Sequence, residues 1–402
     1  MITILGGVYS EHCVRPSWDE VYGSAGRAAT AIARFGGQAE LHGVVDADQR
    51  FVMENRAALE GFAFQPKQVA HGILFEYLHG LSDPVVAGPR GSAHYLQASA
   101  DKVLRFGMIE GSAVVNASYA VYDPQSAEAP EPFSANGSHA EHLALVLNRH
   151  EAGLFVNNHT LAPEALIAAV ADQQLAEVVV LKMGPLGALV YNNGTISRVP
   201  AFRTDRVWKI GSGDTFAAHF ALAWMELGMS AHDAALQASK ATAYYCDTQG
   251  YPRPLQLAQY QAQPLEPSER YRNGFVPKVY LAGPFFSLAQ LWMVNEARNN
   301  LTALGLKVLS PYHDIGIGSA EDVVQKDLEA IHECDLLFAI GDGLDSGTIY
   351  EVGYARAINK PVVFYAENES AQDKKMMEGS GCRITADYVS AIYQTVWEGC
   401  TL

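Results

Sequence analysis

The residues best suited to chemistry lie in the last third of the chain, where acidic side chains and a tyrosine border short apolar runs. They are Tyr280, Asp335, Asp345 and Glu351. A carboxylate can stabilise a developing positive charge and bond reversibly to carbon, while a nearby carboxylic acid can protonate a leaving group. Thr348 precedes Glu351 by three positions, so the alternative is a capping box, in which both side chains satisfy free backbone amides at a helix start.

A second group of candidate residues lies in the N-terminal part of the chain. The run KIGSGD at residues 209–214 precedes a helical pattern and places small residues and an acid at the expected helix start. Backbone amides and the helix dipole can hold an anion at such a position. The alternative is a glycine turn in which Asp214 serves only as an N-cap.

Short β-like runs alternate with helical patterns over the first 250 residues, which predicts an α/β domain with a largely parallel sheet. The predicted strands include residues 2–5, 39–44, 113–116 and 178–181, and the predicted helices include residues 25–35 and 215–227. Two further β-like runs flank an Asn-Asn-Gly turn within residues 188–199, which predicts a hairpin.

Proline and glutamine crowd between residues 251 and 277 without a sustained apolar period, which predicts a linker between domains 1–250 and 278–402. The alternation then restarts with predicted strands at 279–281, 307–309, 336–340 and 362–365, and predicted helices at 288–304, 321–332 and 349–358. This order predicts a smaller, doubly wound Rossmann-like or flavodoxin-like domain. Ligands of such sheets bind beyond the carboxyl ends of the strands, so we expect the acidic residues to meet at one rim.

The C-terminal motifs follow one another in a recognisable order. They are YLAGPFF at 280–286, Gln290, acidic residues from 327 to 335, DSGTxxExGxA at 345–355 and KPV at 360–362. The set resembles the nucleoside 2-deoxyribosyltransferase family over about residues 279–363. The resemblance implies that Glu351 attacks C1′ of a 2′-deoxynucleoside to form a covalent intermediate, and that Asp345 and Asp335 handle the base.

The same resemblance implies a substrate-binding set of Tyr280, Gly283, Phe285 and Gln290, and it implies no cofactor for this domain. Gly283 would let a ligand approach the backbone closely. Because the family completes its sites with residues from a neighbouring subunit, we expect a homodimer or a larger homo-oligomer.

One departure from the family concerns the substrate. Family members often carry an Asn-x-Met element that binds the sugar 5′-hydroxyl, whereas this chain has DKKMM at residues 373–377. Lys374 and Lys375 could belong to a solvated helix start, or they could accept a 5′-phosphate. The second alternative keeps open the related nucleoside 5′-monophosphate N-glycosidases.

The N-terminal motifs also follow a recognisable order, with GSAG at 23–26, Asp-Pro at 123–124, NRHE at 148–151, LKMGPLGA at 181–188 and GSGD at 211–214. They resemble the ribokinase-like, PfkB-type kinases of sugars and nucleosides over about residues 1–249. The resemblance implies that Asp214 accepts the proton of the attacking hydroxyl, while the amides of the adjoining small residues stabilise the phosphoryl group. The remaining implied roles are an anion hole at Gly211, Ser212 and Gly213, an ATP site lined by Gly184 and Gly187, and Mg²⁺ binding through Asn148 and Glu151.

This second resemblance has gaps. Arg27 and Ala28 stand near the place of a usual Asn, and Trp208 stands where an Asp often precedes the glycine run. We therefore keep two alternatives for the N-terminal domain: an ATP-dependent and Mg²⁺-dependent kinase, and a catalytically degenerate regulatory domain that senses a nucleoside.

Composition narrows the classes of partner. The 402 residues carry a net charge of −16 and 49% hydrophobic residues, so a globular protein without affinity for polymeric nucleic acid or anionic membrane is expected. The five cysteines and the histidines show no metal-binding spacing, and no apolar run has transmembrane length. We expect a cytoplasmic enzyme of nucleoside or nucleotide salvage that transfers or hydrolyses an N-glycosidic bond and also phosphorylates a sugar or nucleoside.

Overall fold

The computed structural model describes residues 1–91, 94–126, 128–316 and 318–402. The chain divides into two compact units, one of Met1–Thr204 with Trp208–Pro264 and the other of Asp205–Val207 with Leu265–Leu402. Residues 251–277, proposed above as a linker, contain two short helices and pass from the first unit to the second after Pro264. The domain limits 1–250 and 278–402 remain a proposal.

The first unit is built on β-strands of very different length. In chain order they are β1 Ile2–Leu5, β2 Ser10–Arg15, β3 Trp18–Val21, β4 Ala39–Val45, β5 Ala63–Gln68, β6 Leu74–His79, β7 Val85–Ala87, β8 His94–Phe106, β9 Gly111–Asp123, β10 His139–Asn148, β11 Val178–Lys182, β12 Ala188–Asn192, β13 Thr195–Val199, β14 Phe202–Arg203 and β15 Gln263–Pro264.

A nine-stranded mixed sheet forms the centre of this unit, in the order β13-β12-β11-β10-β9-β8-β1-β4-β5. All neighbours pair in parallel except β11 with β12 and β12 with β13. The antiparallel β12 and β13 are the hairpin that the Asn-Asn-Gly turn predicted. Strands β3, β2, β6 and β7 form a separate four-stranded sheet, and β14 pairs with β15.

Helices cover the large sheet. They are α1 Gly23–Arg34, α2 Ala47–Glu60, α3 Arg149–Phe155, α4 Pro163–Gln174, α5 Ser212–Ala221, α6 Ala231–Thr248 and α7 Pro254–Gln259. A π-helical turn, Leu222–Glu226, follows α5 directly. Alanines of α1, α5 and α6 are buried in one apolar cluster. Their small side chains let these helices pack closely, which brings the first turn of α5 near α1.

The second unit contains a five-stranded, wholly parallel sheet in the order β17-β16-β18-β19-β20. The strands are β16 Lys278–Ala282, β17 Lys307–Leu309, β18 Leu336–Ile340, β19 Val362–Tyr365 and β20 Arg383–Thr385. The helices are α8 Glu269–Arg272, α9 Leu288–Ala303, α10 Ala320–Glu333, α11 Ser346–Ala357, α12 Ala371–Gly379 and α13 Tyr388–Cys400.

The predicted α/β class is confirmed for both parts of the chain. Strands β17, β18 and β19 begin and end as predicted. Their apolar runs, such as the fully buried LLFAI of β18, suit a parallel sheet whose two faces are both covered. The sequence patterns missed β20, α12 and α13. Among the described residues, no helix combines the length and the apolar composition that crossing a membrane requires.

Candidate active site

The candidate site of the second unit lies where the order of its sheet reverses. In sequence order the strands run 2-1-3-4-5, so β16 and β18 are the neighbours whose connections leave in opposite directions. A crevice opens beyond the carboxyl ends of such a pair. Gly283 and Gly341 follow these two strands, and a Cβ added at either glycine would crowd Ile340 or Phe364 respectively. The backbone therefore packs closely against neighbouring side chains at the edge of the crevice.

A tyrosine and a glutamate meet in this crevice. Tyr280, in the middle of β16, is completely buried, and its hydroxyl donates a hydrogen bond of 2.6 Å to Oε1 of Glu351. Glu351 lies in the second turn of α11 and is half-buried. The strand and the helix thus hold two side chains, 71 positions apart in sequence, in direct contact.

The surroundings of Glu351 favour its protonated form. Burial raises its pKa to about 7, the Tyr280 hydrogen bond opposes this shift, and the negative charges of Asp327 and Asp345 add to it. The pKa of Tyr280 is raised by burial and by the charges of Glu351 and Asp327, so its hydroxyl stays a donor. Glu351 therefore changes its charge close to neutral pH.

Asp345 precedes helix α11 and caps its first turn. Oδ2 of Asp345 accepts hydrogen bonds from the Thr348 amide at 2.9 Å and from the Thr348 hydroxyl at 3.1 Å. The N-cap is therefore Asp345 and not Thr348, and the Thr348–Glu351 capping box considered from the sequence does not form. Glu351 lies beyond the first turn, where its carboxylate has no capping role.

Asp327 belongs to the same cluster, although sequence reasoning named it only as part of a motif and gave it no role. It lies on α10, burial raises its pKa, and its charge acts on both Glu351 and Tyr280. Its buried Oδ1 has no hydrogen-bond partner among the described residues. A signal was present in the sequence, because Asp327 is an acidic residue among the apolar positions Val323, Leu328 and Ile331 of an amphipathic helix.

The prediction that Asp335 lies at this rim is corrected by the structure. Asp335 precedes β18, and its Oδ2 accepts a hydrogen bond of 2.8 Å from the amide of Lys278, the first residue of β16. Parallel strands start at one edge and end at the other, so Asp335 is at the amino edge while Glu351 is at the carboxyl edge. Its carboxylate, 3.7 Å from Arg270, joins the start of the sheet to a neighbouring helix.

The predicted substrate-binding residues after β16 differ in their contacts and in their exposure. Gly283 and Phe285 lie in the loop after β16, and the Phe285 ring packs 5.1 Å from Phe286 and 5.3 Å from Tyr312. Phe286 remains 73% exposed, which leaves an aromatic face open beside the crevice. Oε1 of Gln290 accepts hydrogen bonds from the amides of Phe286 and Ser287 and thus caps α9. The substrate-binding roles stay predictions.

Lys374 and Lys375 lie on α12, half-buried and exposed respectively. The loop between β19 and α12 is hydrogen-bonded to the loop after β18. Oε1 of Glu369 accepts a hydrogen bond of 2.8 Å from the Gly343 amide. The N-terminal end of α12 therefore lies on the carboxyl side of the sheet, the side that also carries Glu351. Phosphate binding by the two lysines remains a prediction.

The candidate site of the first unit is centred on the start of α5. Gly211 has a left-handed backbone, with φ of 78°, and Ser212, Gly213 and Asp214 form the first turn of the helix. The amides of a first helical turn have no acceptor within the helix. Nζ of Lys209 donates a hydrogen bond of 3.0 Å to the Ser212 hydroxyl. The structure thus brings the predicted anion hole and Asp214 together.

Asp214 has a partner on each carboxylate oxygen. Oδ2 accepts a hydrogen bond of 2.8 Å from Nη1 of Arg27, and Oδ1 accepts one of 2.5 Å from Nε2 of Gln125. Arg27 is 1% exposed and also pairs with buried Glu11 at 2.5 Å. Sequence reasoning noted Arg27 only as a departure from the family pattern.

Four more predicted residues lie at or just beyond the carboxyl ends of β10 and β11. Asn148 and Glu151 cap α3 reciprocally, each side chain accepting from the amide of the other residue. Gly184 and Gly187 bound a short 3₁₀ turn after β11. Lys182, the last residue of β11, pairs with Asp123 at 2.6 Å.

The predicted Mg²⁺ ligands Asn148 and Glu151 each use one side-chain oxygen to cap α3. No group of three or more His, Cys, Asp or Glu side chains within the described ranges could hold a metal ion, so Mg²⁺ here would depend on one or two protein oxygens together with phosphate and water. Burial raises the pKa of Asp123 to about 7, with Lys182 opposing the shift and Glu151 adding to it. Mg²⁺ binding by Asn148 and Glu151 stays a prediction.

Fold and geometry together define a protein with two α/β regions, each carrying acidic side chains at the carboxyl edge of its sheet. Residues 279–386 match the family model of the nucleoside 2-deoxyribosyltransferases, and residues 120–255 match the model of the pfkB family of carbohydrate kinases. The chain therefore joins a pfkB-type kinase region to a nucleoside 2-deoxyribosyltransferase region, as the motifs had indicated. A search of curated proteins finds no match.

Solved structures resemble the N-terminal region. One is the fructokinase from Vibrio cholerae O395 with fructose, ADP and calcium ion, at 16% identity and a TM-score of 0.51, covering 64% of this chain and 97% of that chain. A double mutant of that fructokinase, with fructose, ADP and potassium ion, has 18% identity, a TM-score of 0.50 and the same coverage. The ribokinase from Cryptococcus neoformans with ADP has 19% identity and a TM-score of 0.47, covering 64% and 98%. The first two show that the N-terminal region has a ribokinase-like fold.

The raised pKa of Glu351 predicts how its charge affects stability. Glu351→Gln keeps an oxygen that can accept from Tyr280 but cannot ionise. The folded-state pKa of about 7 lies above the ordinary glutamate pKa of 4.5, so ionisation of Glu351 destabilises the folded protein as pH rises through this range. Between about pH 4 and pH 8 we expect the thermal midpoint of the wild type to fall relative to that of Glu351→Gln. A midpoint difference that does not depend on pH would contradict a buried, titrating Glu351.

Proposed function

We propose that the C-terminal region breaks the N-glycosidic bond of a nucleoside, a deoxynucleoside or a 5′-monophosphate of either through a covalent Glu351 intermediate. The sugar then passes to a second base or to water. The observation that carries this proposal is the 2.6 Å contact between Tyr280 and Glu351, with Asp327 and Asp345 close enough to raise the pKa of Glu351. The match to the nucleoside 2-deoxyribosyltransferase model supports the choice of substrate class.

The first step needs an ionised Glu351 and a proton donor. One carboxylate oxygen attacks C1′, the bond from C1′ to the base nitrogen breaks, and the bonding pair leaves with the base. A carboxylic acid protonates the leaving base as the bond breaks. In the second step a base nitrogen or a water oxygen attacks C1′, releases Glu351 and returns a proton to the carboxylate that gave one up in the first step.

Tyr280 and Asp327 suit the two supporting roles. The Tyr280 hydroxyl occupies Oε1 of Glu351 and holds the carboxylate in one orientation, which leaves Oε2 for the attack. Asp327 has a raised pKa and a buried Oδ1 without a partner among the described residues, so it suits a proton donor. We propose Asp327 for the acid role that the sequence interpretation gave to Asp335, and Asp345 as the second carboxylate near the base.

The N-terminal region offers two alternatives. One is ATP-dependent phosphorylation of a sugar or nucleoside hydroxyl with Asp214 as base, which would make the protein a bifunctional salvage enzyme. The other is a kinase-like domain that senses a nucleoside without turnover. The similar fructokinase binds ADP, which supports nucleotide binding here under either alternative. The partners of both Asp214 oxygens favour the second. Assembly into a homo-oligomer stays part of the proposal.

Replacing the nucleophile should abolish turnover. We expect Glu351→Gln and Glu351→Ala to lose base release and base exchange by at least about a thousandfold, because neither side chain can bond covalently to C1′. Chromatography of products from a panel of nucleosides and 5′-monophosphates measures this loss. The matched control is Glu378→Gln, an exposed glutamate on α12. A folded Glu351 variant that cleaves at a rate near that of the wild type would overturn the proposal.

Substituting the two neighbours of Glu351 should shift the acidic limb of the pH–activity profile in opposite directions. Activity should rise with pH up to about pH 7, as Glu351 loses its proton. Tyr280→Phe removes a hydrogen bond that lowers the pKa, so the limb should move to higher pH. Asp327→Asn removes a charge that raises the pKa, so the limb should move to lower pH, while loss of the acid slows the reaction by about a hundredfold or more.

The measurement is kcat/KM against pH for the wild type and both variants. Asp322→Asn, which changes an exposed acid in the first turn of the same helix, is the control for a general loss of charge. Shifts in the same direction for Tyr280→Phe and Asp327→Asn would show that these side chains do not tune Glu351 as proposed.

Lys374 and Lys375 test the choice between nucleoside and nucleotide. If they receive a 5′-phosphate, Lys374→Ala/Lys375→Ala should raise KM for a 5′-monophosphate about tenfold or more and leave the unphosphorylated nucleoside unaffected, because only the nucleotide loses charge-assisted hydrogen bonds. Lys307→Ala, at the opposite edge of the sheet, serves as control. Equal rates on both substrates, unchanged by the double substitution, would show that these lysines bind no phosphate.

A further inference from the structure

Arg27 forms a buried three-residue ion cluster with Glu11 and Asp214, here called the Arg27 cluster. The guanidinium is 1% exposed. Nη2 lies 2.5 Å from Oε2 of Glu11, and Nη1 lies 3.3 Å from Oε1 of Glu11 and 2.8 Å from Oδ2 of Asp214. One cation therefore joins two carboxylates that are 203 positions apart in the chain.

Each carboxylate oxygen of Asp214 already accepts a hydrogen bond. Oδ2 is paired with Arg27 and Oδ1 with Gln125, whose own Oε1 accepts a hydrogen bond from the Ser24 hydroxyl. A general base needs an oxygen within hydrogen-bond reach of the hydroxyl that it deprotonates. An acceptor hydroxyl would have to share an Asp214 oxygen with Arg27 or Gln125 and fit beside the buried guanidinium.

The guanidinium also fills the space next to the anion hole. A Cβ added at Gly211 would overlap the side chain of Arg27 at Nε. A phosphoryl acceptor must lie between its base and the phosphoryl group, which the amides at the start of α5 would hold. Arg27 occupies that side of the anion hole, in contact with both Asp214 and Gly211.

Displacing Arg27 would leave charges buried without partners. Arg27 is the cation that directly pairs with Glu11 and Asp214, both of which are less than one-tenth exposed. An ionised carboxylate in such surroundings is strongly disfavoured unless it is paired. The Arg27 cluster therefore resists opening when a neutral sugar or nucleoside approaches.

We propose that Arg27 takes the place of the acceptor hydroxyl, and that the N-terminal unit consequently does not phosphorylate a hydroxyl with Asp214 as base. The inference rests on the proposal that Asp214 occupies the position of the base in a kinase-like site. The Arg27 cluster is a lock that keeps this unit from transferring a phosphoryl group to a hydroxyl. Arg27, Glu11 and Asp214 are positioning residues of that lock.

A double-mutant cycle tests the lock. Thermal midpoints are measured for the wild type, Arg27→Met, Asp214→Asn and the double variant, all as full-length protein. Paired residues do not lose stability additively, so the midpoint loss caused by Asp214→Asn should shrink to less than half in the Arg27→Met background. Additive losses would overturn the inference. If Arg27→Met does not fold, Arg27→Lys keeps the charge, reaches fewer of the carboxylate oxygens and completes the same cycle.

A phosphorylation assay tests the consequence. The full-length wild type is incubated with labelled ATP, Mg²⁺ and a panel of sugars and nucleosides, beside folded Asp214→Asn. Absence of a phosphorylated acceptor, or a product whose yield does not depend on Asp214, supports the lock. A wild-type product whose yield falls at least tenfold in Asp214→Asn overturns it. Base release by the wild type is measured in parallel, so failure of the proposed N-glycosidic activity is distinguished from failure of the lock.

Discussion

A carboxylate held away from water against a buried phenol is the interaction on which the C-terminal region depends. Burial alone would keep Glu351 protonated and unreactive, and the hydrogen bond from Tyr280 partly reverses that effect. The contact forms because β16 ends beside the start of α11, at the reversal of strand order. Asp345 fixes the beginning of that helix through Thr348, so the position of Glu351 follows from a cap as well as from the sheet.

The key carboxylates of the two regions have opposite surroundings. Around Glu351 the direct partner is a neutral hydroxyl and the nearby charges are negative, so the group titrates near neutrality and keeps an oxygen for chemistry. Around Asp214 a guanidinium and an amide each donate a hydrogen bond to one oxygen. The first arrangement suits a nucleophile, because it maintains reactivity at a cost in stability. The second suits a structural ion cluster, because one buried guanidinium contacts both carboxylates.

Much of this was visible in the sequence, and the failures have physical causes. Apolar runs such as that of β18 predicted strand limits well, since both faces of a parallel strand are buried. Asp335 directly precedes the run of β18 and so lies at its amino end; it was misplaced because acids on both sides of that run were assigned to one rim. The sequence interpretation gave Asp327 no role. Asp327 lies on one side of helix α10, and the side chains that face it there depend on the order of the strands in the sheet. Arg27 was visible as a departure, but its two partners come from distant segments.

The most direct measurement of the central claim is the mass of the peptide that contains Glu351 after reaction with a 2′-fluorinated nucleoside. Fluorine at C2′ disfavours positive charge at C1′ and slows both steps, so a covalent intermediate accumulates when the leaving base is good. A covalent mechanism predicts release of one equivalent of base and a Glu351 peptide heavier by one fluorinated sugar, with no such addition in Glu351→Gln. Release of that base while the Glu351 peptide stays unmodified would contradict the claim.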